Sequence, residues 1–235
     1  VPFEFNPGSI AWKQEASRLA NGEIIGFIDE GLQIIDPDLV RQLVALAVLP
    51  NCGAIGPAIL GARGRIVHAG HVLVPGSTLT ISQDSRVGGR IGYFGRLVAA
   101  SHVSAISGEC LFVRKSVFDE VGGFRELGLQ GSDPTIDLCL RLSSRGYATV
   151  ITPHARVRRF GSVKYKSLPN SPIAHSDEAF ENGYREAADP FYNPNLSFEP
   201  RLFDLAFPPR RSKPWDANSS PTVVGPVSVT PSLQT

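Results

Sequence analysis

The chain has 235 residues, 42% of them hydrophobic and 19% charged, enough apolar sequence for one sizeable core. Its 23 Lys and Arg nearly balance 22 Asp and Glu, and a formal charge of +1 argues against a nucleic-acid-binding surface. No apolar run is long enough to cross a bilayer, and the acidic, aromatic start Val1-Pro2-Phe3-Glu4 does not read as a secretory signal. Cys52, Cys110 and Cys139 lie far apart in apolar surroundings, the pattern of buried reduced thiols rather than of a zinc site or disulfide framework. A cytoplasmic location is expected. The chain begins at Val1 and contains no Met, which reads as a piece of something longer rather than as an alternative start codon translated literally.

In chain order, helix and strand alternate. Ser9 is placed to N-cap a helix through Trp12, Ala16 and Leu19 that Gly22 stops. A strand expected to be buried then runs to Ile28 and straight into Asp29-Glu30-Gly31. Asp36-Pro37 reads as N-cap and first residue of a helix through Leu39, Leu43 and Leu46, ended by Pro50-Asn51. Strands are expected near 53–60 and 66–74. Residues 75–101, rich in Gly, Ser and Arg, read as a long loop. A strand over 103–113 precedes a short helix opened by a capping-box-like Ser116-Val117-Phe118-Asp119 and closed by Gly122-Gly123. Asp133-Pro134 starts a helix over 136–144, closed by Gly146, and a strand over 147–151 follows. Ser176 caps a helix to about 187. From Pro208 onward Pro, Ser, Thr and Val dominate, behind Arg210, Arg211 and Lys213, so 208–235 is expected to be a disordered tail after a domain over 1–207. The pattern is mixed α/β without an internal repeat.

Carboxylates at the end of a buried strand lie where open α/β sheets bind ligands. They suit a divalent cation that in turn holds phosphate. Gly31, at the third position, has no side chain to contribute. His68 and His71 are three apart on one expected strand, so they should point to opposite faces and not share a metal.

A series of motifs follows: His68-Ala69-Gly70, Tyr93-Phe94-Gly95-Arg96, the run from Ser104 through Gly108-Glu109-Cys110 to Arg114, and Val117 to Phe124. Then come Asp137-Leu138-Cys139-Leu140-Arg141-Leu142, Gly146-Tyr147, Thr152-Pro153 and Asp189 to Leu196. None is diagnostic alone. Their order and spacing resemble the family 2 glycosyltransferases of GT-A fold, the group that builds bacterial surface polysaccharides. The resemblance implies a GT-A-like mixed sheet flanked by helices, N-terminally incomplete, because the βαβ half that holds the nucleotide would precede residue 1.

The resemblance further implies transfer of a sugar from a nucleotide diphosphate sugar to a glycan acceptor, with inversion by one in-line displacement. It implies a cation, Mn²⁺ or Mg²⁺, at Asp29 and Glu30, weakened by Gly31. A solvated acidic loop is the plainer reading of the same residues. The base should lie two residues before Asp137, where Thr135 stands; Asp133 is the substitute, with Asp137 orienting it or the acceptor. Helix capping explains Asp133 fully, and a helix-dipole role accounts for Asp137, without a catalytic part for either. Where the family places a metal-holding His, this chain has Arg156, Arg158 and Arg159. Arg158 and Arg159 would clamp a diphosphate without metal, or form a solvated strand face. Gly108 and Glu109 fall at the acceptor side. The rival reading is a non-catalytic pseudo-enzyme or scaffold that binds glycan or a partner transferase. A general carbohydrate-binding module is weaker, for want of an aromatic platform. No nucleic-acid partner is expected, and peripheral contact with a membrane stays open.

Overall fold

A computed structural model describes residues 10–74, 77–82, 91–126, 133–160, 171–172, 189–198 and 202–208. Its centre is β3 (Cys52–Leu60), buried at every position. A strand covered on both faces must read as an unbroken apolar run, and Cys-Gly-Ala-Ile-Gly-Pro-Ala-Ile-Leu does. β3 pairs antiparallel with β8 (Cys110–Arg114) and parallel with β9 (Ala148–Arg159). β1 (Ile24–Ile28) lies outside β8 and β2 (Leu32–Ile34) outside β9, giving the order β1-β8-β3-β9-β2. Two short strands extend this sheet, β4 (Ile66–His68) on β3 and β7 (Ser101–Val103) on β9.

Period-two alternation sends neighbouring strand residues to opposite faces, and the core divides accordingly. Ile55, Ile59, Cys110, Phe112, Val150 and Val157 face α2 (Leu39–Ala47), which buries Leu39, Leu43 and Ala47 against them. Ala54, Leu111, Val113 and Ile151 belong to the second layer, with Val117 and Phe118 of α3 (Lys115–Glu120) and Ile136, Leu138 and Leu142 of α4 (Pro134–Ser144). The expected mixed sheet flanked by helices is the observed architecture. Each fully buried Leu or Phe stabilises this arrangement by about 1.5–3 kcal/mol relative to exposure.

Pro57 stands in this central strand although proline cannot donate to a ladder. It sits where the register against β9 jumps, from Pro57 opposite Thr152 to Ala58 opposite Arg156. The intervening residues of β9 form the irregularity that spares Pro57 a donor role.

Several expected elements differ in the structure. β1 is an edge strand with Gly26 and Ile28 exposed, not a buried one. α1 (Ala11–Leu19) runs the other way round from its expected face: Trp12, Ala16 and Leu19 are exposed, while Lys13 and Ser17 are buried. It follows Ile10 in helical conformation and ends into an extended Ala20, before Gly22. Ser9 lies outside the described residues. α2 starts at Leu39 behind Asp38, and the Asp36 carboxylate pairs with Arg156 instead of capping. The capping box at Ser116 is absent; Lys115 pairs with Asp119 across one turn.

The strand expected over 66–74 breaks at Ala69-Gly70, and Gly70 takes φ +100° against Val103. The next stretch, β5 (His71–Val74), forms a hairpin with β6 (Ser77–Thr80), inside the region read as a loop. β10 (Ser171–Pro172) adds to β6, making a small second sheet. The strand expected over 103–113 is two strands, β7 and β8, separated by residues 104–109. β9 runs eight residues beyond the expected end at 151, because its pairing with β2 and β3 carries it on. The expected helix from Ser176 and the tail beyond Pro208 lie outside the described residues. Asp189 ties the late segment to the sheets: its carboxylate accepts from Leu73 N–H at 2.7 Å, Ser104 Oγ at 2.8 Å and Phe191 N–H at 2.7 Å.

Candidate active site

One end of the main sheet collects most of the acidic residues that the sequence singled out. At the end of β1 the chain leaves the ladder, and Asp29 N–H donates to the Glu109 carbonyl at 2.8 Å. That bond sets the β1 terminus against the segment that opens β8. Gly108 precedes it, and the N-terminus of α4 packs on Gly108: a Cβ there would lie 2.2 Å from Thr135 Oγ1. Three chain segments, around residues 29, 108 and 135, thus meet at one corner.

Asp133 is the N-cap of α4, its Oδ1 accepting from Thr135 N–H at 2.8 Å with Pro134 in the first helical position. Asp137 lies one turn inside, buried, and pairs with Arg141 at 2.7 Å. Arg141 also donates to the carbonyls of Val121 and Gly123. Asp137 therefore fixes the arginine that closes the end of α3.

The Asp29 carboxylate receives the Lys13 ammonium at 2.9 Å, and the same ammonium donates to the Gly108 carbonyl at 3.0 Å. The side chains are 9% and 17% exposed, so this pair is largely shielded from solvent. Glu109 takes a bidentate grip from Arg159, with Nε on Oε2 at 2.9 Å and Nη2 on Oε1. Ser107 Oγ adds a bond to Glu109 at 3.1 Å. Arg158 does not join it: strand alternation turns it to the other side of β9, and its Nε is buried with no hydrogen-bond partner among the described residues. Arg156 is exposed and paired with Asp36. Of the three arginines read as one cluster, Arg159 alone reaches this corner. Glu30 is exposed beside it.

Two histidines border the same corner. The break at Gly70 lets the rings of His68 and His71 face each other at 4.7 Å, against the expectation of opposite faces. His68 Nε2 accepts from Ser107 N–H at 3.0 Å and Gly70 N–H at 3.3 Å, so that nitrogen carries no proton. Burial holds His68 well below the usual histidine range, reinforced by His71 and then Arg159. Burial brings His71 down to about 4, partly opposed by Asp133. Cys110 is pushed up to about 12, by burial first and then by Asp29 and Glu109. All three cysteines are buried free thiols.

Sequence reasoning missed Lys13 and the His68–His71 contact. The one signal for Lys13 was a cation beside the apolar stripe of Trp12, Ala16 and Leu19 on α1. Gly70 between the histidines was the signal for theirs.

Whether these residues fit a resident Mn²⁺ or Mg²⁺ is a question of donors. Such ions need several oxygen ligands converging on one point. Among the described residues no group of three or more His, Cys, Asp or Glu is placed to hold an ion. Asp29 and Glu109 are each neutralised by a cation of the chain, and Gly31 offers nothing. The donor set does not fit the metal.

No family model matches the chain. A curated protein of Sinorhizobium fredii (strain NBRC 101917 / NGR234), "Uncharacterized protein y4gI", is 32% identical over 214 residues, covering 88% of this chain and 23% of its own length. "O-antigen biosynthesis protein RfbC" of Myxococcus xanthus is 28% identical over 200 residues, covering 83% of this chain and 15% of itself. The chain thus spans less than a quarter of either relative. Among solved structures, GalNAc-T7 with UDP, GalNAc and Mn²⁺ superposes with a TM-score of 0.51 at 13% identity, over 69% of this chain and 32% of that one. The chain has a GT-A-type glycosyltransferase fold. In this GT-A fold the corner just described is the carboxyl end of β1, with Asp29 and Glu30 following the strand. No helix among the described residues is long and apolar enough to cross a membrane.

Proposed function

We propose that the chain is the acceptor-side part of a family 2-type glycosyltransferase that moves a sugar from a nucleoside diphosphate to a glycan, with inversion, in bacterial surface-polysaccharide assembly. One observation carries this reading: in a GT-A fold, Asp29, Gly108-Glu109 and the capped start of α4 meet at a single corner. One relative's naming as an O-antigen biosynthesis protein, and the UDP bound by the structural neighbour, support it. In this reading the nucleotide is held mainly by sequence outside this chain, and the transfer takes place in the cytoplasm.

The chemistry is one displacement. The acceptor oxygen forms a bond to the anomeric carbon as the bond from that carbon to the diphosphate oxygen breaks. The acceptor's proton passes to Asp133, whose Oδ1 is engaged with the α4 backbone and whose other oxygen takes it. Gly108 and Glu109 border the acceptor. Turnover of labelled UDP- or dTDP-sugar by the full protein tests this. Asp133→Asn is expected to lower turnover at least 100-fold while circular dichroism stays unchanged. Unchanged turnover would leave Asp133 a helix cap and nothing more.

A second reading has its own observation. Asp29, Glu109, Asp133 and Asp137 all hold partners within the chain, as in a site that keeps its fold and no longer turns over. Glycan retention by a full-length protein that transfers no sugar from any donor would favour that module.

A further inference from the structure

The two buried ion pairs at the end of β1 are more than packing. The Asp29 N–H···Glu109 carbonyl bond sets the backbones of the residues that carry them against each other. Their cations come from distant parts of the chain, Lys13 from α1 and Arg159 from the last residue of β9. Both helix and strand deliver a charged group to a place where burial of a single charge would be unfavourable. Neither cation spends all its donors. Lys13 has three N–H groups, and its bonds among the described residues are to Asp29 and Gly108. Arg159 has five, and its bonds there run from Nε and Nη2 to Glu109.

A divalent ion arriving here would meet an ammonium and a guanidinium. To gain Asp29 it would have to displace Lys13 from a shielded bond. For an anion each pair is neutral overall, so what the site offers is hydrogen bonding: the N–H groups of Lys13 and Arg159 beyond those bonded to Asp29, Gly108 and Glu109, with Lys13 Nζ also 5.6 Å from the Trp12 ring centroid. Planar Arg and point-charge Lys are the side chains that suit phosphate oxygens.

We propose that Lys13 and Arg159 are the cations of this site and stand in place of a divalent metal, receiving the diphosphate group of the donor without Mn²⁺ or Mg²⁺. This rests on the transfer reading for the identity of the anion, and it departs from that reading's usual metal.

Calorimetric titration of the chain with Mn²⁺ alone, and with inorganic pyrophosphate in EDTA and in excess Mg²⁺, tests it. Pyrophosphate is expected to bind in EDTA as well as in Mg²⁺, and Mn²⁺ alone to give no saturable heat. Arg159→Gln is expected to weaken pyrophosphate binding roughly tenfold. Lys13→Met alone leaves Asp29 unpaired and endangers folding, so the paired Lys13→Met with Asp29→Asn replaces an ion pair by neutral groups of similar size; it too should weaken binding roughly tenfold. Saturable Mn²⁺ binding by the unaltered chain overturns the proposal. So does pyrophosphate binding that requires Mg²⁺, pyrophosphate binding absent under both conditions, or affinity unchanged in both variants. The two readings fail separately. Sugar transfer that stops in EDTA sinks the metal-free site and spares the transferase. EDTA-indifferent pyrophosphate binding with no transfer from any donor does the opposite.

Discussion

Gly108→Ala is the sharpest test of the corner on which the functional reading stands. A Cβ at Gly108 would lie 2.2 Å from Thr135 Oγ1, 3.3 Å from its Cβ and 3.7 Å from its Cγ2. Thr135 is 3% exposed, so it has little room to retreat. Turning its side chain moves Oγ1 aside, but Cβ stays too close and a β-branched residue leaves its packed rotamer. The alternative is to push back the first turn of α4, which strains the Asp133 cap. Overpacking of this kind costs about 1–3 kcal/mol, and loss of a cap about 1 kcal/mol. Together they predict a loss of about 3 kcal/mol, or roughly 6–12 °C in melting temperature for a chain of this size. The assay is urea and thermal unfolding of Gly108→Ala, Thr135→Ala and the double variant. Thr135→Ala removes Oγ1 and Cγ2, so the double variant should be at least about 1 kcal/mol more stable than the sum of the single losses predicts. A Gly108→Ala chain within about 0.5 kcal/mol of the parent, or a cycle without coupling, would refute the contact between α4 and the segment opening β8.

Three further outcomes are expected. Asp137→Asn leaves the shielded Arg141 uncompensated and should cost about 3 kcal/mol in urea unfolding; a loss under about 1 kcal/mol would show that Arg141 is held by the Val121 and Gly123 carbonyls alone. His71 titrates near 4 in the folded chain and near 6.5 unfolded, so between those values the unfolded state binds the extra proton. Stability should therefore be level above about pH 6.5 and fall on acidification, by about 2 kcal/mol from His71 at pH 5, with His68 adding in the same direction. Equal urea midpoints at pH 7 and pH 5 would count against buried neutral histidines, and His71→Gln should flatten the slope. Cys110 and Cys139 are both pushed up to about 12, chiefly by burial, so iodoacetamide at pH 8 should label them in urea and spare them in the native chain. Rapid native labelling would mean that the β8 and α4 core opens readily.

What the sequence alone determined is what depends on short-range pattern. The apolar run near 53–60 announces a strand, and only the structure shows both of its faces covered. Asp133-Pro134 announces a helix start, because one side-chain oxygen and one fixed φ act within three residues. The order of motifs from His68 to Leu196 pointed to the GT-A fold without any contact being known. Tertiary structure decided whatever depends on partners far along the chain. α1 shows its apolar residues outward because Lys13 is drawn in by Asp29 and Gly108, 16 and 95 residues away. β9 continues past 151 because β2 and β3 offer it ladders, and that extension carries Arg159 to Glu109, 50 residues distant. Charge neutralisation at the site is therefore invisible to local reading. Asp29 and Glu109 look like free carboxylates in the sequence, and only folding brings each the cation that takes its charge.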